Sequence, residues 1–149
     1  MRHTRISCAI TAVMIAAVTA VVTIGTGTAE AWPGINYCTF DFTGTPTVVQ
    51  PNILGFGTAR CTKAPATHFG TLTLEYEEGD HWVVAEFANN ADIPAPQVDF
   101  RVSTHCYNGT WRMSFHVKGN DSSGDFGYDA HSEYRNVLTC ENRPPKEGD

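Results

Sequence analysis

Beyond residue 31 the chain lacks the signatures of the familiar secreted enzymes. There is no Gly-x-Ser-x-Gly turn to present a serine nucleophile. There is no His-x-x-x-His spacing to hold zinc from a helix. No two cysteines stand as Cys-x-x-Cys, which excludes the common zinc-knuckle and dithiol redox motifs. Lysine and arginine never cluster, so the basic patch that neutralises a phosphate backbone is missing and no nucleic-acid partner is expected. No segment after residue 31 repeats its apolar residues every 3.6 positions, which excludes a helical core. Asp121-x-Ser123-x-Asp125 begins like a calcium loop, but Phe126 stands where the loop glycine belongs and Ser132 where the bidentate glutamate belongs. That segment reads as a turn rich in Asx and Ser. No cofactor and no metal is expected.

What is present starts with a leader. Met1-Arg2-His3-Thr4-Arg5 is cationic, Cys8 to Ile24 is apolar, and Ala29-Glu30-Ala31 offers the small-x-small pattern of signal-peptidase cleavage. Thr11, Thr19 and Thr23 dilute the apolar stretch, which argues against a membrane span. Residues 1–31 therefore read as a signal peptide cut before Trp32, with Cys8 lost on processing. The protein is expected outside the cell or in the cell envelope, with no membrane attachment after cleavage. Of 149 residues 118 remain, enough for a single domain over 32–141. Residues 142–149, with Pro144-Pro145-Lys146-Glu147-Gly148, are expected to form a disordered tail. Loss of Arg2, Arg5 and Glu30 leaves 8 basic and 15 acidic side chains, a net charge of −7. Such a surface favours solubility and a monomer, and opposes attraction to nucleic acid or an anionic membrane.

Cys38, Cys61, Cys106 and Cys140 form an even set in an exported chain and imply two disulfides. Three connectivities are possible and sequence alone does not choose. Cys38–Cys61 and Cys106–Cys140 are favoured because each closes a moderate loop within one half of the chain.

Apolar residues alternate with period two, between clusters of Gly, Pro, Asn and Asp. This predicts an all-β fold: an antiparallel β-sandwich or flattened barrel of about seven to eight strands. Asn108-Gly109 predicts a two-residue type I′ turn, folding 98–118 into a hairpin that pairs Cys106 with Trp111, Val102 with Phe115 and Phe100 with Val117. A second hairpin is expected with Glu78-Gly79 in its loop, pairing Tyr76 with His81 and Leu74 with Val83, and leaving Trp82 partly exposed. Further strands are expected at Asn36–Phe42, Thr45–Val49 and Gly55–Cys61, the last loosened by Gly55 and Gly57. The chain should continue through a turn at 121–124 to Phe126, Tyr128 and Ala130, and end in a strand at Leu138–Cys140.

Five histidines follow the leader: His68, His81, His105, His116 and His131. In the predicted hairpin His105 and His116 share a face with Arg101 and Arg112. That quartet is the candidate binding site, an anion-binding or acid–base patch. The competing reading, an ordinary solvated sheet face, is favoured. If the chain is a hydrolase, of nuclease type for example, His105, His116 and Arg112 are its catalytic candidates. Glu75, Glu77 and Glu86 with His81 and Arg101 form a weaker set. Asp92–Gln97, stiffened by Pro94 and Pro96, is the one segment suited to an inhibitory loop. Asn108 and Asn120 both fit the N-glycosylation pattern.

The leader ending Ala-Glu-Ala-Trp, the four cysteines, the run Thr104-His105-Cys106-Tyr107-Asn108-Gly109-Thr110-Trp111-Arg112, a glycine-rich turn and Leu138-Thr139-Cys140 can be taken together. In these the chain resembles small secreted proteins of actinobacteria, of mycobacterial type. The group has no agreed activity, so the resemblance implies a source and an exported location and carries over no catalytic residue. The expectation is a secreted, disulfide-stabilised module that binds an extracellular protein or small ligand. The alternatives are a small hydrolase or a protease inhibitor.

Overall fold

A computed structural model describes residues 38–144. The leader at 1–31, Trp32, the start of the expected Asn36–Phe42 strand and residues 145–149 of the expected tail lie outside the described residues, while Asn142 and Arg143 of that tail are held against Asn108 and the Tyr76 ring. Within them run nine strands: β1 (Cys38–Phe42), β2 (Thr47–Val49), β3 (Asn52–Cys61), β4 (Thr67–Glu78), β5 (His81–Asn90), β6 (Gln97–His105), β7 (Gly109–Asp121), β8 (Gly124–His131) and β9 (Arg135–Val137). The expected strand at Thr45–Val49 is present as the short β2, and the three-residue β9 at Arg135–Val137 is one that the alternation does not predict. All the pairings between these strands are antiparallel and form two sheets, with one isolated parallel bridge between Tyr107 and Glu141. In sheet A, β3 is central, with β6 along one edge and β1 and β2 end to end along the other. In sheet B the order is β5-β4-β7-β8, and β9 continues the β8 edge of β7.

Period-two alternation turns one face of each sheet inward, and the two inner faces make one core. Sheet A contributes Phe40, Ile53, Ala59, Val98, Phe100 and Val102; sheet B contributes Leu72, Leu74, Trp111, Met113, Phe115 and Val117. At its centre the Phe40 and Phe115 rings stack across the sandwich, 3.6 Å apart and 9° from parallel. Gly57 does not loosen β3 as expected. A Cβ there would lie 2.2 Å from the Phe40 ring, so the glycine makes room for that stack. Cys38 and Cys61 face each other across β1 and β3, and their disulfide staples the edge of sheet A.

The expected 98–118 hairpin does not form. Strand β6 pairs with β3 in sheet A, while β7 pairs with β4 in sheet B. Residues 106–108 cross between the sheets. Of Asn108-Gly109 only Gly109 has positive φ, at 140°, so the type I′ turn is absent. A Cβ on Gly109 would also meet the Tyr76 ring at 2.6 Å. The crossover is held from several sides. Cys106 N–H donates to Pro51 O at 2.9 Å and Asn108 N–H to Glu141 O at 2.8 Å. Cys140 N–H donates to Asn108 Oδ1, and the Trp111 indole donates to Tyr107 O. The Cys106–Cys140 disulfide fastens the C-terminal segment over it. Hairpin and crossover bury the same residues, because both inner faces look into one core; alternation identifies the buried side and not the partner strand.

The β4–β5 hairpin forms with a different register. Glu78 pairs with His81, so Gly79-Asp80 make the turn, with Gly79 at φ 65°. The last strand ends at Val137; Leu138 is 84% exposed and Cys140 is held by its disulfide.

Candidate functional site

The crossover separates the predicted quartet. Outward positions of β6 carry Arg101 and His105 on sheet A; outward positions of β7 carry Arg112 and His116 on sheet B. The two pairs therefore face solvent on opposite sides of the sandwich and make no single patch. Arg101 lies over Phe56, 5.5 Å from the ring centre. His105 stands 3.7 Å from the Glu141 carboxylate and edge-on to Tyr107. It lines a cavity of about 220 Å³ with Gln50, Pro51, Thr139 and Glu141, floored by the Cys106–Cys140 disulfide. The weaker set disperses as well: Glu75 and Glu77 lie on the outer face of sheet B, Glu86 on the reverse of β5, and Arg101 on sheet A. His81 is exposed beside Asp80. Asp92–Gln97 is exposed except for Pro94, which is buried and anchors the segment to the sandwich.

The outer face of sheet B gathers the most chemistry. Cross-strand registers set it out in rows. Trp82 stands opposite Glu77. Val84, Glu75 and Arg112 form the next row, then Phe87, Thr73, Ser114 and His131, then Asn89, Thr71, His116 and Asp129. Glu75 accepts from Arg112 Nε at 2.6 Å and from Ser114 Oγ at 3.0 Å. The Arg112 guanidinium lies over the Trp82 indole, 4.2 Å from its centre, which fixes the ring on the face. Thr71 donates to Asn89 Oδ1 at 2.7 Å, and His116 Nδ1 meets Asp129 Oδ1 at 2.7 Å.

Strand β5 makes this face unusual. It is the edge of the wider sheet and is largely exposed along its length. A bulge between Leu74 and Glu75 lets Ala85 slip out of register. Extra residues of this kind flip the parity of a strand. Here Trp82 and Val84 before the bulge, and Phe87 and Asn89 after it, all point outward. Val84 is 56% and Phe87 54% exposed, an apolar strip beside hydrogen-bonding side chains. Sequence reasoning found Trp82, Arg112 and His116 but missed Val84, Phe87 and Asn89. Their signal was the run Val83-Val84-Ala85, three apolar residues that break the alternation where the bulge falls.

Catalytic geometry on this face is incomplete. The Ser114 hydroxyl is turned to Glu75 and not to an imidazole, so the nucleophile–base hydrogen bond is not made. Two perturbed groups lie elsewhere. Burial lowers the His68 pKa, opposed by a hydrogen bond with the Asp92 backbone. The ring is 3% exposed and its Nδ1 has no partner. Burial pushes the Tyr128 phenol well above its ordinary range, and the Asp41 carboxylate adds to the effect. Among the described residues no group of three or more His, Cys, Asp and Glu side chains is placed to hold a metal ion. Asp121 instead accepts from Ser123 N–H, as an Asx turn does.

No family model, no curated protein and no solved structure matches this chain. Fold and face together define a disulfide-stabilised all-β sandwich with two unlike outer surfaces.

Proposed function

We propose that this protein is a secreted, non-enzymatic binding module of an actinobacterial type, whose recognition surface is the outer face of sheet B. The carrying observation is the outward strip of Trp82, Val84 and Phe87, set flush with an interlocked polar network. Exposed apolar side chains gathered beside polar groups mark interaction surfaces. Export is supported by residues 1–31 and by the two disulfides, which persist in an oxidising compartment.

A second reading is favoured by one observation, the His116–Asp129 contact at 2.7 Å, which would orient an imidazole as a general base. It makes the same face the centre of a small hydrolase. One preparation tests both readings. Protein recovered from the medium of an expressing actinobacterium should begin at Trp32 and leave RNA, casein and nitrophenyl esters intact. Retention of the uncut chain inside the cell overturns export. Turnover of any of these substrates that His116→Ala abolishes installs the hydrolase in place of the module.

A further inference from the structure

We infer that the outer face of sheet B binds a neutral oligosaccharide lying along β5. This names the ligand class of the face and rests on the proposed binding role.

The exposed strip lies on an open sheet face, which suits an extended chain of repeating units better than a compact molecule. Trp82 and Phe87 stand opposite Glu77 and Thr73, four residues apart on β4. At the strand rise this is ~13 Å, so two rings sample one extended ligand at separate points.

Chemistry narrows the class. An aromatic ring presents a negative face, which accepts the weakly positive C–H face of a pyranose. Sugar hydroxyls both donate and accept, and they match side chains that do the same. Beside the strip stand Thr71, Thr73 and Asn89. Asn89 already accepts from Thr71 through Oδ1, which keeps its amide nitrogen for a donor role.

Charge excludes the competitors. The Phe87 row, with Thr73, Ser114 and His131, holds no carboxylate, lysine or arginine. In the rows on either side Arg112 is committed to Glu75, and His116 to Asp129. A phosphate or acidic polymer finds no uncommitted basic cluster in these three rows, and a basic peptide finds their carboxylates already paired, Glu77 opposite Trp82 being the one acidic side chain at the far end of the strip. What is offered is an apolar strip with neutral hydrogen-bonding partners, held by its own network before any ligand arrives.

The test is an NMR titration of the 15N-labelled full mature chain with cellohexaose, mannohexaose and maltohexaose, and with heparin as the anionic control. At least one neutral hexasaccharide should shift the amides of Thr71, Thr73, Trp82, Val84, Phe87 and Asn89. Phe87→Ala and Asn89→Ala should each weaken binding about tenfold or more. Both side chains lie on the exposed face, so the variants should keep the wild-type spectrum elsewhere. Phe56→Ala on sheet A should bind as wild type. If no neutral sugar binds but a peptide, or a second copy of the chain, shifts the same amides, the sugar assignment is wrong and the binding face stands. If sugars or heparin shift only residues around His105 and Glu141, both the assignment and the face are overturned. Silence with every neutral sugar overturns the assignment.

Discussion

On the outer face of sheet A, Arg60 meets Asp41 at 2.6 Å with the two side chains 51% and 44% exposed. On the outer face of sheet B, Arg112 meets Glu75 at the same 2.6 Å, but with 22% and 14% exposure. The contact distance is identical and the surroundings differ. Around Arg60 the neighbours are small and polar: Thr58 donates to Asp99, and Gln97 bridges Arg60 and Asp99. Around Arg112 stand the Trp82 indole and a second donor, Ser114. Ion-pair geometry alone therefore identifies no site. The partial exclusion of water by an aromatic edge strand makes the sheet B pair rigid, and turns an ordinary sheet face into a surface with fixed features.

The largest effects should show that the sheets differ only outward. Phe40→Ala from sheet A and Phe115→Ala from sheet B each remove one ring of the central stack, and each should cost about 3–5 kcal/mol by denaturant unfolding. The double variant should cost clearly less than the sum, because both lose the same contact. Additive losses would mean that the inner faces do not share one core. Smaller, and unequal between the faces, are the charge deletions. Glu75→Ala leaves Arg112 and Ser114 half-buried without their acceptor and should cost about 1–3 kcal/mol. Asp41→Ala should cost under about 1 kcal/mol, with its loss fading at high salt. Equal losses from the two would erase the distinction between the faces.

Much of this was legible in the residues, and the failures have one root. Alternation marked Phe100, Val102, Trp111, Met113 and Phe115 as inward, and all are buried. The favoured cysteine pairing is the one observed, since each pair lies within one half of the chain. The partner of a strand was not legible. A two-fold pattern carries no information about which sheet a strand joins, so in sequence Asn108-Gly109 reads as a hairpin turn that sets His105 and His116 on one face. What makes Asn108 useful is instead its side chain, which holds Cys140 N–H and donates to Asn142. The candidate face was half legible. Trp82 and Arg112 were in view, but Phe87 reached the surface only through a one-residue bulge, and bulges follow from tertiary twist more than from local propensity.

The subtlest prediction concerns acid, and locates weakness between the sheets and not on either face. His68 is on β4, turned inward near Gly119 and Phe126, in a lining that also includes Lys118 and Asp125. Burial holds its folded pKa below the ordinary 6.5, against the Asp92 backbone hydrogen bond. The native state therefore refuses a proton that the unfolded chain accepts near pH 6.5. By linkage, the stability His68 permits is complete above that pH and falls as the solution is acidified through it. Carboxylates titrate lower, near 4, so the two effects separate along the pH axis. Denaturation midpoints measured from pH 7.5 to 5 should decline for the wild type. His68→Phe, which also removes the unpartnered Nδ1, should flatten that decline, whereas His81→Gln at the exposed hairpin end should preserve it. A decline that survives His68→Phe would move the acid sensitivity outward, to the paired charges of one face or the other.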